Sequence, residues 1–199
     1  GPGTVSIVNT ILAGNTANAG PDCNGTVTSN GFNLFRTGGG CTAGGTDQTV
    51  ATVAALALGA LANNGGPTQT HMPAIGTPSP AIDRGSCTVS TSIVEQRGVT
   101  RPFDTPLANA AGGDGCDIGA VEVNAGTIQF NTNVASVNEN GTGATILTVT
   151  RSGSTDGAVS ATITLTNGTA SAGDYNSTSI VVNFAAGSST AQVINVAGI

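Results

Sequence analysis

Val5-Ser6-Ile7-Val8-Asn9-Thr10-Ile11-Leu12 alternates apolar and polar residues with a period of two, the pattern of a strand with one buried face. It returns in Gly31-Phe32-Asn33-Leu34-Phe35, with Asn9 and Asn33 in corresponding places 24 residues apart. A repeat of about 20 to 30 residues, each with one short strand, a turn and a stacked asparagine, describes the coils of a right-handed parallel β-helix. Each rung of such a stack buries its face only against neighbouring rungs, so the rung at Val5 to Leu12 is expected to expose an edge.

Beyond Cys41 the pattern becomes irregular. A single helical turn is expected from Val53 to Leu61, stopped by Asn63-Asn64-Gly65-Gly66-Pro67. Loops containing Pro73, Pro78, Pro80, Pro102 and Pro106 follow. Composition changes near Asn124-Ala125-Gly126: all the cysteines and prolines, the lone histidine and four of the five arginines precede it. After it, alternating runs at Ile128–Val137, Ala144–Arg151, Ala158–Thr166, Thr178–Phe184 and Thr190–Val196 are separated by turns such as Ser152-Gly153, Asp156-Gly157 and Asn167-Gly168. Five short strands at this spacing predict an antiparallel sandwich, yet 73 residues fall short of the ~100 of a complete immunoglobulin-like one. The chain therefore reads as all-β, with a β-helix end over 1–125 and an incomplete sandwich over 126–199.

Charge narrows the function. The 199 residues carry 11 acidic and 5 basic side chains, 8% in all, where a soluble domain carries about 25%. With a net charge of −6 and no lysine there is no cationic field for nucleic acid or for anionic lipid. A lysine–asparagine isopeptide crosslink is impossible for the same reason. Mean hydropathy is +0.15, so the chain folds. Thirty glycines and abundant threonine suit flat β-structure with many corners. No run of about 18 apolar residues predicts a membrane span. The opening Gly1-Pro2-Gly3 is neither an initiator methionine nor a signal peptide, which points to a processed or excised segment.

Cys23, Cys41, Cys87 and Cys116 lack CxxC spacing and have one histidine for company, which disfavours zinc; nothing in the sequence supplies a base for a nucleophilic thiolate. Disulfides remain, in any of three connectivities, and imply an oxidising compartment. His71 could serve as a general base, but no orienting carboxylate or serine motif accompanies it, so a structural role is expected. Asp83, Arg84, Glu95, Arg97, Arg101, Asp117 and Glu122 gather the charge of the first part into three motifs. Carboxylates and a basic residue are what a polysaccharide lyase uses. The favoured reading is structural: Arg97 and Arg101 fork onto Asp83 or Asp117 and tie the loops together. The Asn-Gly-Thr and Asn-Ser-Thr triplets at Asn24, Asn140, Asn167 and Asn176 read as turns.

Two resemblances add to this. Asp22-Cys23, Gly40-Cys41, Leu58-Gly59-Ala60-Leu61-Ala62-Asn63-Asn64-Gly65-Gly66-Pro67-Thr68, Ser79-Pro80-Ala81-Ile82-Asp83-Arg84-Gly85, Gln96-Arg97-Gly98-Val99-Thr100-Arg101-Pro102 and Cys116-Asp117-Ile118-Gly119-Ala120-Val121-Glu122 resemble the choice-of-anchor Q domain, the C-terminal end of a bacterial surface β-helix. That resemblance implies an extracellular or cell-surface protein with no known reaction, and local pairs Cys23–Cys41 and Cys87–Cys116. Phe130, Val137-Asn138-Glu139-Asn140, Val149-Thr150-Arg151, Asn167 to Tyr175 and Phe184-Ala185-Ala186-Gly187 resemble a Calx-beta domain, a calcium-binding sandwich. It implies Glu139 and Asp174 as calcium ligands. The acidic turn and two strands expected after Val196 are absent from the sequence, and two carboxylates fall short of the six to eight oxygens calcium takes.

The function expected is therefore non-enzymatic: a fibre subunit or stalk of a bacterial surface, self-associating through unpaired strand edges, with Val5, Ile7 and Ile11 as donor side chains. The alternative is a calcium-dependent carbohydrate-binding or lyase-like protein acting through Arg97, Arg101 and Asp117. The absence of tryptophan, with Tyr175 as the single tyrosine, argues against a sugar platform.

Overall fold

The structure, a computed structural model, describes residues 4–90, 92–134, 145–171, 173–175 and 178–196, with the side chains of 145 and 146 left out. It contains several small sheets and no α-helix among these residues. Two compact units divide the chain, one ending at Val123 and the other starting at Asn124.

In the first unit the stretch from Val5 to Leu12 makes two short strands instead of one, β1 (Val5–Ile7) and β2 (Ile11–Leu12). The break is Asn9, whose φ of 47° turns the chain through the left-handed region. β1 pairs in parallel with β3 (Val27–Ser29), Val5 opposite Val27. β2 pairs in parallel with β4 (Leu34–Arg36), which pairs in parallel with β5 (Gln48–Val50). The offset is 22 residues in the first sheet (5 to 27) and 23 in the second (Ile11 to Leu34).

That second offset corrects the expected asparagine stack. Carried back from Ile11 and Leu34 it sets Asn9 opposite Phe32, both at positive φ (47° and 55°), and Thr10 opposite Asn33. Asn33, fully buried, accepts the Thr10 amide at 3.0 Å and donates to Ser29 Oγ at 2.8 Å and Asp47 Oδ1 at 3.1 Å. Asn9 instead exchanges two hydrogen bonds with the Ser86 backbone, 2.7 and 3.0 Å. Each asparagine completes a different corner because a buried turn leaves backbone groups that a short amide can satisfy.

The expected helical turn at 53–61 is also shorter. A 3₁₀ turn spans Ala54–Leu56, Ala57 ends it at φ 49°, and the chain continues as β6 (Leu58–Ala62), antiparallel to β7 (Thr70–Pro73). The core of Leu34, Val50, Leu56, Ala81 and Ile118 joins the parallel strands to the loops, with Ile11, Ala13 and Leu58 packed against it. Cys23–Cys41 and Cys87–Cys116 are disulfide-bonded, with Cα atoms 4.9 and 5.7 Å apart. Beside the first, Gly40 sits at φ 99°, and a Cβ there would overlap the Cys23 carbonyl. The bridges close loops of 18 and 29 residues. Replacing the Cys87–Cys116 pair by serines is expected to lower the stability of this unit by about 3 kcal/mol, read from urea unfolding; an unchanged midpoint would show that the loop is held without its bridge.

The second unit has two antiparallel sheets. β9 (Thr145–Ser152) lies between β8 (Thr127–Phe130) and β12 (Gln192–Val196), while β10 (Val159–Ile163) pairs with β11 (Ile180–Phe184). Val149 and Ile194 from the first sheet meet Val182 and Phe184 from the second in one core. Alternation sets these residues inward and sends Val181 and Val193 outward. The strand expected over Ile128–Val137 is ordered as a strand only to Phe130 among the described residues.

Candidate functional site

The charged motifs of the first unit converge in its interior. Asp83, Asp117 and Glu122 are fully buried, and Glu95 is nearly so. Arg101 donates to Glu122 Oε2 at 3.0 Å and to the carbonyls of Asp117 and Gly119 at 2.8 and 2.6 Å. Arg97 donates to Glu95 Oε2 at 2.9 Å and to the Glu122 carbonyl at 2.8 Å. The ion pairs described here thus use Glu95 and Glu122 in place of the expected Asp83 and Asp117. The aspartates are engaged by backbone: Asp117 accepts the amides of Asp83 (2.8 Å) and Val123 (2.7 Å), and Asp83 accepts the amide and hydroxyl of Thr105. Glu95 and Glu122 each combine a guanidinium with backbone amides: Glu95 accepts those of Arg97 and Val99, Glu122 those of Phe103 and Asp117.

Burial, the Glu122 charge and, to a lesser degree, Asp83 push the Asp117 carboxyl up to about 8, against the two amides that favour its anion. Burial also raises Asp83 and Glu122. Asp114 is displaced oppositely: burial acts upward but is outweighed by the amides of Cys87 and Thr88 and the hydroxyl of Ser86. Every one of these carboxylates is engaged by internal donors. The arrangement ties the loops of this unit together. His71 likewise lies 2.8 Å from the Gly59 carbonyl through Nδ1, a bond across the β6–β7 hairpin.

A groove of about 630 Å³ runs beside β2. Ile11, Leu58, Ile118 and Val121 give it an apolar lining, Gln69 and His71 a neutral polar one, and no acid or arginine lines it. β1 and β2 are each the outermost strand of their sheet. Of the expected donor side chains, Val5 is 56% exposed while Ile7 and Ile11 are half-buried.

Arg151 in the second unit did not stand out in the sequence as a site. Although charged, it is 3% exposed, and it donates to five carbonyls: Ala125 (2.9 Å), Asp156 (2.8 Å), Gly157 (3.1 Å), Ala185 (3.2 Å) and Ser188 (3.4 Å). Burial lowers its pKa, with Asp156 acting the other way. The signal was available: Leu147, Val149 and Arg151 share one face of an alternating strand, so the arginine occupies a core position.

Of the two carboxylates expected to hold calcium, Glu139 lies outside the described residues. Asp174 is exposed, and its Oδ2 accepts the amide and hydroxyl of Ser171 at 2.7 and 2.9 Å, which hold it below the usual carboxylate range. The other described carboxylate of this unit, Asp156, accepts the Asn124 amide. Among the described residues the acids of this unit gather into no cluster that could surround a metal. Asp156 and Asp174, the acids described here, supply on their own fewer than the six to eight oxygens calcium takes. Millimolar calcium is accordingly expected to leave the thermal midpoint of this unit unchanged within about 1 °C; a concentration-dependent rise of several degrees would show a complete site.

No helix is long and apolar enough to cross a membrane among the described residues. The two disulfides fit a non-cytoplasmic, oxidising location. Neither the curated proteins nor the solved structures include a match to this chain. Residues 122–198 match the Calx-beta domain, a non-catalytic immunoglobulin-like sandwich family associated with calcium binding.

Proposed function

We propose that the chain is a non-enzymatic structural module of a bacterial cell surface, combining the end of a parallel β-helix with a Calx-beta-like sandwich and associating through its unpaired strand edges. The observation that carries this reading is the uncharged groove beside β2, with its apolar lining of Ile11, Leu58, Ile118 and Val121. An unpaired strand beside an apolar groove is a site for strand addition. The opposite strand, β5, is differently placed: its Val50 shares a core with Leu56 and Ala81, from the segments that follow it.

A glycan lyase would need an accessible carboxylate and base, whereas Arg101 and Asp117 are held inside by short hydrogen bonds. Light scattering of the purified protein tests the proposal, together with an ultraviolet lyase assay on pectate and alginate in calcium. Concentration-dependent association without turnover is expected. Turnover that is lost in Arg101→Ala would overturn it.

A further inference from the structure

Of the four Asn-x-Thr triplets in the sequence, Asn24-Gly25-Thr26 and Asn167-Gly168-Thr169 lie within the described residues. The pattern is that of an acceptor for an N-linked glycan, with the hydroxyl two residues on read together with the asparagine. All six residues are exposed, yet the two asparagines differ. The carboxamide of Asn167 is held through its oxygen, which accepts the Tyr175 hydroxyl at 2.7 Å. The side chains of Asn24 and Thr26 make no hydrogen bond to any described residue. Gly25 turns the chain between them at φ 101°, and a Cβ built there would meet nothing within 4 Å. The turn is fixed at both ends: the Cys23–Cys41 bridge and the Cys23 amide, 3.0 Å from the Gly39 carbonyl, precede it, and β3 begins at Val27. Asn24 therefore stands in open space on a turn whose ends belong to the fold.

We infer that Asn24 is the acceptor of an N-linked glycan, transferred from a polyprenyl-diphosphate-linked oligosaccharide by a membrane-bound transferase. Nδ2 of Asn24 attacks the anomeric carbon of the first sugar. The bond from Nδ2 to that carbon forms as the bond from the carbon to the diphosphate oxygen breaks. One Nδ2 proton passes to a base of the transferase, and the polyprenyl diphosphate leaves. The Thr26 hydroxyl is the second group the transferase reads. Both side chains can turn into a transferase's groove without breaking a bond in the fold, whereas at Asn167 the hydrogen bond from Tyr175 must first be given up. The oxidising compartment that the disulfides imply is one in which secreted proteins meet such transferases. A chain with only 8% charged residues gains from the glycan a hydrated cover that its own side chains do not supply. Modification at Asn24 is independent of the edge pairing proposed above.

Production of the full chain in a bacterial periplasm, together with an oligosaccharyltransferase and its lipid-linked glycan, tests it by mass spectrometry. A control acceptor protein in the same cells reports that the transferase is active. After reduction and trypsin cleavage, the peptide ending at Arg36 is expected to carry the mass of one glycan; Asn24 is the one asparagine in it with the acceptor pattern. Asn24→Gln and Thr26→Ala should remove that mass, and Thr26→Ser should keep it. These side chains are exposed and without internal partners, so the three variants retain the fold. Asn167→Gln should leave the mass of this peptide unchanged. An unmodified Asn24 beside a modified control, or a glycan found only at another asparagine, would overturn the assignment.

Discussion

Substituting Arg151 by alanine is expected to bring the C-terminal unit close to its unfolding threshold while leaving the N-terminal unit folded. Five carbonyls, from Ala125, Asp156, Gly157, Ala185 and Ser188, converge on one buried guanidinium. Hydrogen bonds to a charged group contribute about 1.5–3 kcal/mol each, and a buried acceptor left alone costs about 1–3 kcal/mol. Even if water reaches most of the released carbonyls, the loss should be about 4 kcal/mol. A unit of this size is stable by only about 5 kcal/mol. Arg151→Lys keeps the charge but reaches fewer carbonyls, because an ammonium has three donors and no fork, so an intermediate loss is expected. Tyr175 is the single tyrosine, no tryptophan is present, and its hydroxyl bonds Asn167 within the same unit. Its near-ultraviolet signal therefore reports this unit alone. A Tyr175 unfolding midpoint that moves by less than about 1 kcal/mol in Arg151→Ala would refute the assignment of Arg151 as the clamp.

The N-terminal unit should lose stability as pH rises from 5 to 9. Asp117 ionises near 8 in the folded chain, against an ordinary value of 3.8. Between those values the folded state keeps a proton that the unfolded state has released. The stability this confers is complete below about pH 4, falls by about 1.4 kcal/mol per pH unit per proton above it, and is gone above pH 8. Burial moves Asp83 and Glu122 the same way, so they add to the slope. Asp114 has the opposite sign: the donors from Cys87, Thr88 and Ser86 hold it low, and that contribution disappears on acidification. Maximum stability is thus expected on the acid side of neutrality. Calorimetry from pH 3 to 9 measures it. Asp117→Asn should flatten the alkaline slope, although its NH₂ must oppose the amide of either Asp83 or Val123 and will cost stability at pH 5. A thermal midpoint that stays level or climbs from pH 5 to 9 would contradict the picture of a protonated core.

How much of this could be read in advance differs between the units. Alternation exposed the strands of the second unit because its core is built from residues two apart, as in Val182 and Phe184. The same rule set Arg151 on the core face, yet no pattern names the carbonyls it would find. In the first unit the repeat was legible and its register was not. Asn9 and Asn33 look equivalent as letters, but the chain turns through the left-handed region at Asn9 and Phe32, and the β2–β4 register sets these two opposite each other, one residue away from the asparagine pairing. A phenylalanine at positive φ carries no sequence signal. Short charged motifs likewise announced a network without its partners: Glu95 takes Arg97 because it lies two residues away across a tight turn, a matter of loop geometry.

Composition and period alone determined that this chain is all-β and poor in charge, because these follow from residue type and spacing, which act locally. Only the tertiary structure decided which carboxylates meet which arginines, where Arg151 is buried and which strands keep an unpaired edge. Those outcomes depend on segments far apart in sequence being brought within hydrogen-bond reach. Asn9 meets Ser86 across 77 residues, a contact that no local pattern encodes.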